Sequence, residues 1–311
     1  LSALASAALD AIDLEHAYGS RRALAGVALS IRPGEIFAIV GPNGGGKTTL
    51  FRIAATLVRP QAGTLRVFGH DVRTDAAAVR RRIGVVFQSP ALDSRLTVEE
   101  NLAHHARLYG MGGRSSRAAI AAALARVNLQ DRRADRIAAL SGGLMRRAEV
   151  AKVLVHAPAL LLLDEPTTGL DPAARRDFWG DLERLRADAG TTVVVTTHLM
   201  DEAARCDRLA ILHEGRIVTA GGPASLVEAI GGEVIVISTP DPARLAARID
   251  DALGVAGEVI DDRVRIEAPR AHELVRSIVE AFPGEVDAVT FGKPTLEDVF
   301  VHHTGRRWRA D

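Results

Sequence analysis

The 311-residue chain holds a single cysteine, Cys206, which excludes an internal disulfide framework and a thiolate-rich zinc site. Such sparing use of thiols suits a reducing, cytoplasmic setting. There is no charge excess either: 39 Lys+Arg stand against 39 Asp+Glu. General binders of nucleic acid or anionic lipid usually carry a basic surplus, so both classes are disfavoured. No apolar run approaches the roughly 18–20 residues of a membrane span. The strongest, Ala159 to Leu163, is strand-length and stops at Asp164. The Ala-rich start, LSALASAALD, lacks a basic n-region and a long apolar h-region, and is not read as a signal peptide. Lysine is scarce, with only Lys47, Lys152 and Lys293. Against that bias, Arg146-Arg147, Arg175-Arg176 and Arg306-Arg307 are background, expected on solvated helix faces.

What is present supports a globular protein. Hydrophobic residues make up 47%, enough to bury a core. The length allows one large and one small domain. Residues 11–18 and 27–31 read as strands, as do 64–68 and 83–87. EIFAIV (35–40) is a short apolar run between turn residues, hence a buried strand, and 50–58 reads as helix. From about 96 to 157 the texture turns to Ala, Leu and Arg with helical spacing, a helical lobe. ALLLLD and TTVVVTT are further strands around a helix at 173–188. Alternating strands and helices predict a mainly parallel sheet covered by helices. A second unit, 231–311, reads β-α-β-β-α-β, the order of a ferredoxin-like split unit, with a last helix from Thr295 to His302.

Three motifs carry chemistry. Gly41-Pro42-Asn43-Gly44-Gly45-Gly46-Lys47-Thr48 matches G-x-x-x-x-G-K-[ST] between a strand and a helix. Glycines let backbone N–H groups curl around phosphate oxygens, and the helix N-terminus adds positive partial charge. Lys47 would neutralise the β- and γ-phosphates, and Thr48 would offer a hydroxyl to Mg²⁺. LLLLDEP ends an apolar strand in Asp164 and Glu165, where ligands of parallel sheets collect. Asp164 could hold Mg²⁺ through water, and Glu165 could orient or deprotonate an attacking water. Ser141-Gly142-Gly143 opens a helix and reads as a second anion site. One chain has one Lys-bearing loop, so this second site should serve another subunit's nucleotide.

With these residues in view, positions 10–230 resemble the ATP-binding subunits of ABC transporters. The order is that of the family: Tyr18, GPNGGGKTT through Thr49, Gln88 in VVFQSP, LSGGLMRR, LLLLDEP, Gly169-Leu170-Asp171, and His198 in TTHLMDEA. Singly, Tyr18 is a surface aromatic, Gln88 a polar loop residue and His198 a strand-end histidine; joint order and spacing favour the family. The resemblance implies a P-loop cassette with a RecA-like core, a helical subdomain and an antiparallel β subdomain. It implies that Tyr18 stacks on adenine, Gln88 senses Mg²⁺, Asp171 crosses a dimer interface and His198 contacts the γ-phosphate. It also implies ATP hydrolysis in a head-to-tail dimer that drives a separate membrane permease from the cytoplasmic face. Leu144 departs from the glutamine many members carry, and Gly45 replaces a usual small residue; Ser141-Gly142-Gly143 and Glu165 are intact.

The tail PTLEDVFVHHTGR and the stretch FQSPALDSRLTVEENL resemble ATPases that partner ABC-2-type permeases, such as daunorubicin-resistance exporters. Residues 89–110 are the expected coupling surface. A soluble ABC protein of ribosomes or DNA is disfavoured by the single cassette and balanced charge, so no nucleic-acid partner is expected. An importer ATPase is disfavoured by the tail and the Met145-Arg146-Arg147 variant, and a non-hydrolysing regulator by Glu165 and His198. His104-His105 and His302-His303 are adjacent pairs that do not share a helix face, so neither is read as a metal site.

Overall fold

Leu9–Tyr18 (β1) and Arg21–Ile31 (β2) pair antiparallel, from Leu9 opposite Ile31 to Tyr18 opposite Arg21. β2 starts well before the expected residue 27. Gly26, at a φ of 83°, falls between the paired residues Ala25 and Val27 and interrupts the alternation by which a strand is read. Ile36–Val40 (β3) is buried at every position, as a central strand must be. Lys47–Ala54 (α1) begins directly behind the glycines and stops sooner than 58, because Thr56 turns to a φ of 62°. Ala62–Val67 (β4) and His70–Asp71 (β5) complete a four-stranded sheet in the order β2-β1-β4-β5. The computed structural model describes residues 7–308. Most of the Ala-rich start, not read as a signal peptide, lies outside the described residues, as do residues 309–311 of the second unit.

Ala76–Arg82 (α2) leads into Ile83–Val86 (β6). Three helices then follow without a strand: Val98–Leu108 (α3), Gly113–Arg126 (α4) and Gly142–Leu154 (α5). α3 opens on a reciprocal cap. The Thr97 hydroxyl accepts from the Glu100 N–H at 3.1 Å, and the Glu100 carboxylate accepts from the Thr97 N–H at 2.8 Å. Leu160–Asp164 (β7), Pro172–Ala189 (α6), Thr192–Thr197 (β8), Arg208–His213 (β9) and Arg216–Gly221 (β10) come next. They build a six-stranded sheet in the order β10-β9-β3-β8-β7-β6. The pairs β9/β3, β3/β8, β8/β7 and β7/β6 are parallel, so the loops after β3 and β7 leave the same edge. Side chains from both sheets and α1, among them Leu14, Leu24, Phe37, Phe51, Leu65 and Leu162, close one core beneath those loops.

The chain divides into two units. One runs to His198 and takes in Cys206–Ile217; the other takes in Leu199–Arg205 and everything from Val218. The second therefore starts before the compositional change near Gly231. Within it lie Met200–Ala203 (α7), Pro223–Glu228 (α8), Glu233–Ser238 (β11), Pro242–Leu253 (α9), Glu258–Ile260 (β12), Arg263–Ala268 (β13), Ala271–Ala281 (α10), Ala288–Gly292 (β14) and Leu296–Thr304 (α11). α8 packs on α11, which accounts for the early start. The strands form an antiparallel sheet in the order β12-β13-β11-β14. One face, with Ile235, Ile237, Val264 and Ile266, packs on Leu245 and Ile249 of α9 and Ile278 of α10. Among the described residues, no helix is long and apolar enough to cross a membrane.

Candidate functional site

The loop between β3 and α1 is shaped by close approaches that only glycine allows. A Cβ on Gly41 would stand 2.2 Å from the Leu212 carbonyl oxygen, and one on Gly46 2.4 Å from that of Ala23. Gly46 also sits at a φ of 112° as the residue before α1, which has no side-chain cap. The first N–H groups of α1 thus open into the loop, ready for an anion. Gly45 donates its N–H to the Pro42 carbonyl at 3.1 Å, and Asn43, Gly44 and Thr48 are exposed along the rim. Thr49, one residue on, is buried.

Lys47 folds back inside this loop and is only 4% exposed. Its Nζ donates to the carbonyls of Gly41 at 2.7 Å and Pro42 at 3.3 Å, and lies 3.6 Å from Glu165 Oε1. Burial lowers its pKa, while Glu165 and Asp164 pull the other way. Asp164, the last residue of β7, is buried and accepts from the Thr196 hydroxyl of β8 at 2.5 Å. Burial pushes its carboxyl pKa up, and the Thr196 bond opposes that. Glu165 occupies a left-handed backbone position with a φ of 44°. Its N–H donates to the Thr196 carbonyl at 3.1 Å and hydroxyl at 3.0 Å, which hold the turn. The carboxylate turns toward His198, whose Nδ1 is 3.3 Å from Oε2 without an aligned hydrogen bond. One cluster thus joins Lys47, Asp164, Glu165 and His198.

The other expected residues share no hydrogen bond or ion pair with that cluster among the described residues. Gln88 is exposed just beyond β6 and makes no hydrogen bond among the described residues. Tyr18 is exposed at the end of β1, edge-on to His16 at 4.7 Å. Its cross-strand partner Arg21 reaches the loop, where Nη2 donates to the Gly44 carbonyl at 3.0 Å. Ser141 caps α5, with its hydroxyl accepting from the Leu144 N–H at 3.4 Å. Neither Ser141 nor Gly142 and Gly143 shares a hydrogen bond with the chain's own phosphate loop among the described residues. Asp171 caps α6, accepting from Ala173 and Ala174 at 2.9 Å.

Arg146 and Arg147 correct the expectation of a solvated face. Arg146 is buried and donates to the carbonyls of Pro166 at 2.6 Å and Phe87 at 2.7 Å, and to Glu149 at 2.7 Å. Arg147 pairs with the buried Asp181 at 2.7 Å. Glu149 accepts from the Ala91 N–H and Lys152 donates to the Ala91 carbonyl, both at 2.8 Å. Helix α5 therefore grips the backbone on both sides of Gln88 and the turn after Glu165. Nothing local in the sequence marks Arg21 or Thr196, whose partners are distant along the chain, and of the Arg146 partners only Glu149 lies close by, with Phe87, Glu165 and Pro166 all distant.

A glycine loop at a helix N-terminus, a buried lysine and a carboxylate pair at the end of β7, two places along the same sheet, define a P-loop NTPase. An exposed hydroxyl on Thr48 and a carboxylate on Asp164 suit Mg²⁺, which takes few protein oxygens and shares the rest with phosphates and water. The ABC transporter family matches residues 24–168. A daunorubicin resistance ATP-binding protein of Streptomyces coeruleorubidus is 38% identical over 97% of this chain and 97% of its own length. A Nod factor export ATP-binding protein of Burkholderia orbicola is 39% identical over 96% and 98%. Among solved structures, a Clostridium perfringens protein that is part of an ABC transporter complex matches with a TM-score of 0.67 at 28% identity, over 80% of this chain and 96% of its own. A dimeric bacterial ABC transporter cassette matches with a TM-score of 0.62 at 29% identity, over 69% and 98%. The chain belongs to the ABC transporter family, as an ATP-binding subunit that hydrolyses ATP.

Proposed function

We propose that this ATPase powers export through a separate ABC-2-type permease, working on the cytoplasmic face as a head-to-tail dimer with a second copy of itself. The observation that carries this reading is the extent of similarity. Relatives named for daunorubicin resistance and Nod factor export match over at least 96% of the chain, the second unit included. A drug, a lipid or a glycan is the cargo class in view. The cassette is taken as residues 10–230. The remainder, 231–311, is read as ferredoxin-like, which its strand order β12-β13-β11-β14 supports.

In this reading Gly41, Pro42, Asn43, Gly44, Gly45, Gly46, Lys47, Thr48 and Thr49 receive the ATP phosphates, and Tyr18 stacks on the adenine. Mg²⁺, held with Thr48, Asp164 and Gln88, would supply charge neutralisation on the phosphates. The Lys47 ammonium, now near Glu165, would turn to the phosphates and leave Glu165 free to position and deprotonate water. His198, beside the same carboxylate, would steady the γ-phosphate. Ser141, Gly142, Gly143 and Asp171 would close the partner's nucleotide; among the described residues, neither Ser141 nor the two glycines hydrogen-bond to the chain's own loop, which supports this. Loss of the γ-phosphate then removes the bridge and the dimer reopens.

The test is ATP hydrolysis by the purified chain across protein concentrations, beside Glu165→Gln. A rate that rises faster than linearly and is abolished in the variant is the expected result. Wild-type turnover in Glu165→Gln would end the general-base role. Co-purification and reconstitution with a six-span permease, with cargo followed outward, then tests the export assignment.

A further inference from the structure

The second unit contains a site that ATP hydrolysis does not use. Side chains alternate across its sheet, so Val264 and Ile266 face α9 and α10 while Arg265 faces the other way. On that opposite face Val236 stands across from both Arg265 and Thr290. Helix α11 and Trp308 cover this face incompletely and leave a cavity of about 190 Å³. Val236, Ile260, Val301 and Trp308 give it apolar walls, Arg263, Arg265 and Arg307 give it cationic ones, and two threonines and two acids complete the lining.

Arg265 is the informative residue. It is 6% exposed, and its Nε and Nη2 are buried with no hydrogen-bond partner among the described residues. A buried donor left unmet is costly, and more so when the group is charged. The acidic neighbours do not meet that need. Glu267 accepts from Nη1 and is shared with His302 at 3.0 Å. Asp298 Oδ1 lies 3.5 Å from Nη2 without an aligned hydrogen bond, while its Oδ2 is held by the N–H and hydroxyl of Thr295 at 2.8 Å each. Arg263 and Arg307 have no ion pair among the described residues. With Glu297 and Asp298 as the cavity's acids, its lining keeps a positive balance.

We propose that this cavity binds a small organic carboxylate, with the carboxylate on Arg265 and Arg263 and an apolar body against Val236, Ile260 and Trp308. Guanidinium groups pair with carboxylates through parallel N–H bonds, the donors that Arg265 has to spare. An apolar cavity of roughly 150 Å³ is large enough for benzene, so this one takes a ring bearing one carboxylate.

Isothermal titration of the full chain with sodium benzoate tests the site, with benzylammonium and inorganic phosphate alongside. One saturable benzoate site per chain is expected, and none for benzylammonium. Arg263→Gln, which breaks no ion pair, should weaken benzoate about tenfold, the loss of one charge-assisted contact. Arg265→Gln should weaken it at least as much; should that variant fail to fold, Arg263→Gln decides. Failure of benzoate to saturate in the millimolar range would overturn the proposal. So would phosphate binding as tightly as benzoate, equal binding of benzylammonium, or unchanged affinity in Arg263→Gln.

Discussion

Arg146 uses all three guanidinium nitrogens, and they tie α5 to the end of β6 and to the turn after β7. Nε goes to the Pro166 carbonyl, Nη1 to the Phe87 carbonyl and Glu149, and Nη2 to the Glu165 carbonyl at 3.3 Å. Methionine there would strand the buried Glu149 charge, and breaking a buried pair from one side costs about 3–5 kcal/mol. Denaturant unfolding of Arg146→Met should show that loss, and one below about 1 kcal/mol would contradict the structural role. Arg146→Met with Glu149→Leu should recover part of it, since no uncompensated charge remains; the Ala91 N–H would still lack its acceptor. Gly46 makes a second case at this scale. Alanine at a φ of 112°, with its Cβ against the Ala23 carbonyl, forces the loop to move. Strain of about 1–3 kcal/mol should appear as at least a tenfold loss of ATP affinity in Gly46→Ala, measured by calorimetry. Lys47→Ala should lose affinity too, for a different reason: it removes the charge, together with the bonds to the Gly41 and Pro42 carbonyls.

At the scale of elements, α3 is fastened to the end of α5 by aromatic and imidazole contacts. Tyr109 stacks on His156 at 3.8 Å, His105 Nε2 is 3.4 Å from His156 Nδ1, and His156 Nε2 lies 2.9 Å from the Ile83 carbonyl. Burial, aided by the nearby His156 and Lys152 charges, brings His105 down to about 4. Burial lowers His156 as well, against its bond to Ile83. The folded chain therefore favours the neutral form of both rings more than the unfolded chain does, where a histidine titrates at about 6.5. That stabilising difference is complete above about pH 6.5 and is lost as pH falls toward 4, because the unfolded chain takes up protons that the folded one refuses. His105→Gln should flatten part of the fall in thermal midpoint across that window; an equally steep fall would exclude His105 as a contributor. None of this geometry is legible in HHARLYG, because His156 lies far along the chain. The same distinction runs through the fold and the site. Strands β3, β7 and β8 are contiguous apolar runs, and the phosphate loop and Asp164-Glu165 are contiguous motifs, so all can be read directly. α2 buries only Val79 and β5 spans two residues, which leaves no periodicity to find. β9 carries a readable signal, LAIL between turn residues, and belongs with the strands a closer reading would include. Thr196, which holds the Asp164 carboxylate and the Glu165 N–H, looks like any strand threonine until β8 is set beside β7.

At the scale of the whole molecule, the proposed sharing of each nucleotide between two copies has a consequence that single variants cannot expose. If each nucleotide lies between the Lys47 loop of one copy and the Ser141 helix start of another, neither chain has a complete site. Lys47→Ala and Ser141→Arg should then each be inactive alone, the first through lost phosphate contacts and the second through a bulky charge at the α5 cap. Mixed together they form some dimers in which the intact loop of one chain meets the intact Ser141 of the other. For random two-fold pairing half of the dimers are mixed and each holds one intact site, so about a quarter of wild-type sites should return. Hydrolysis measured against mixing ratio should peak at equal amounts and fall to zero at either pure variant. Sites that are complete within one chain predict the opposite, no activity at any ratio. A peak would also show that copies of this one chain suffice to form the working pair, because no other subunit is present to supply the missing half.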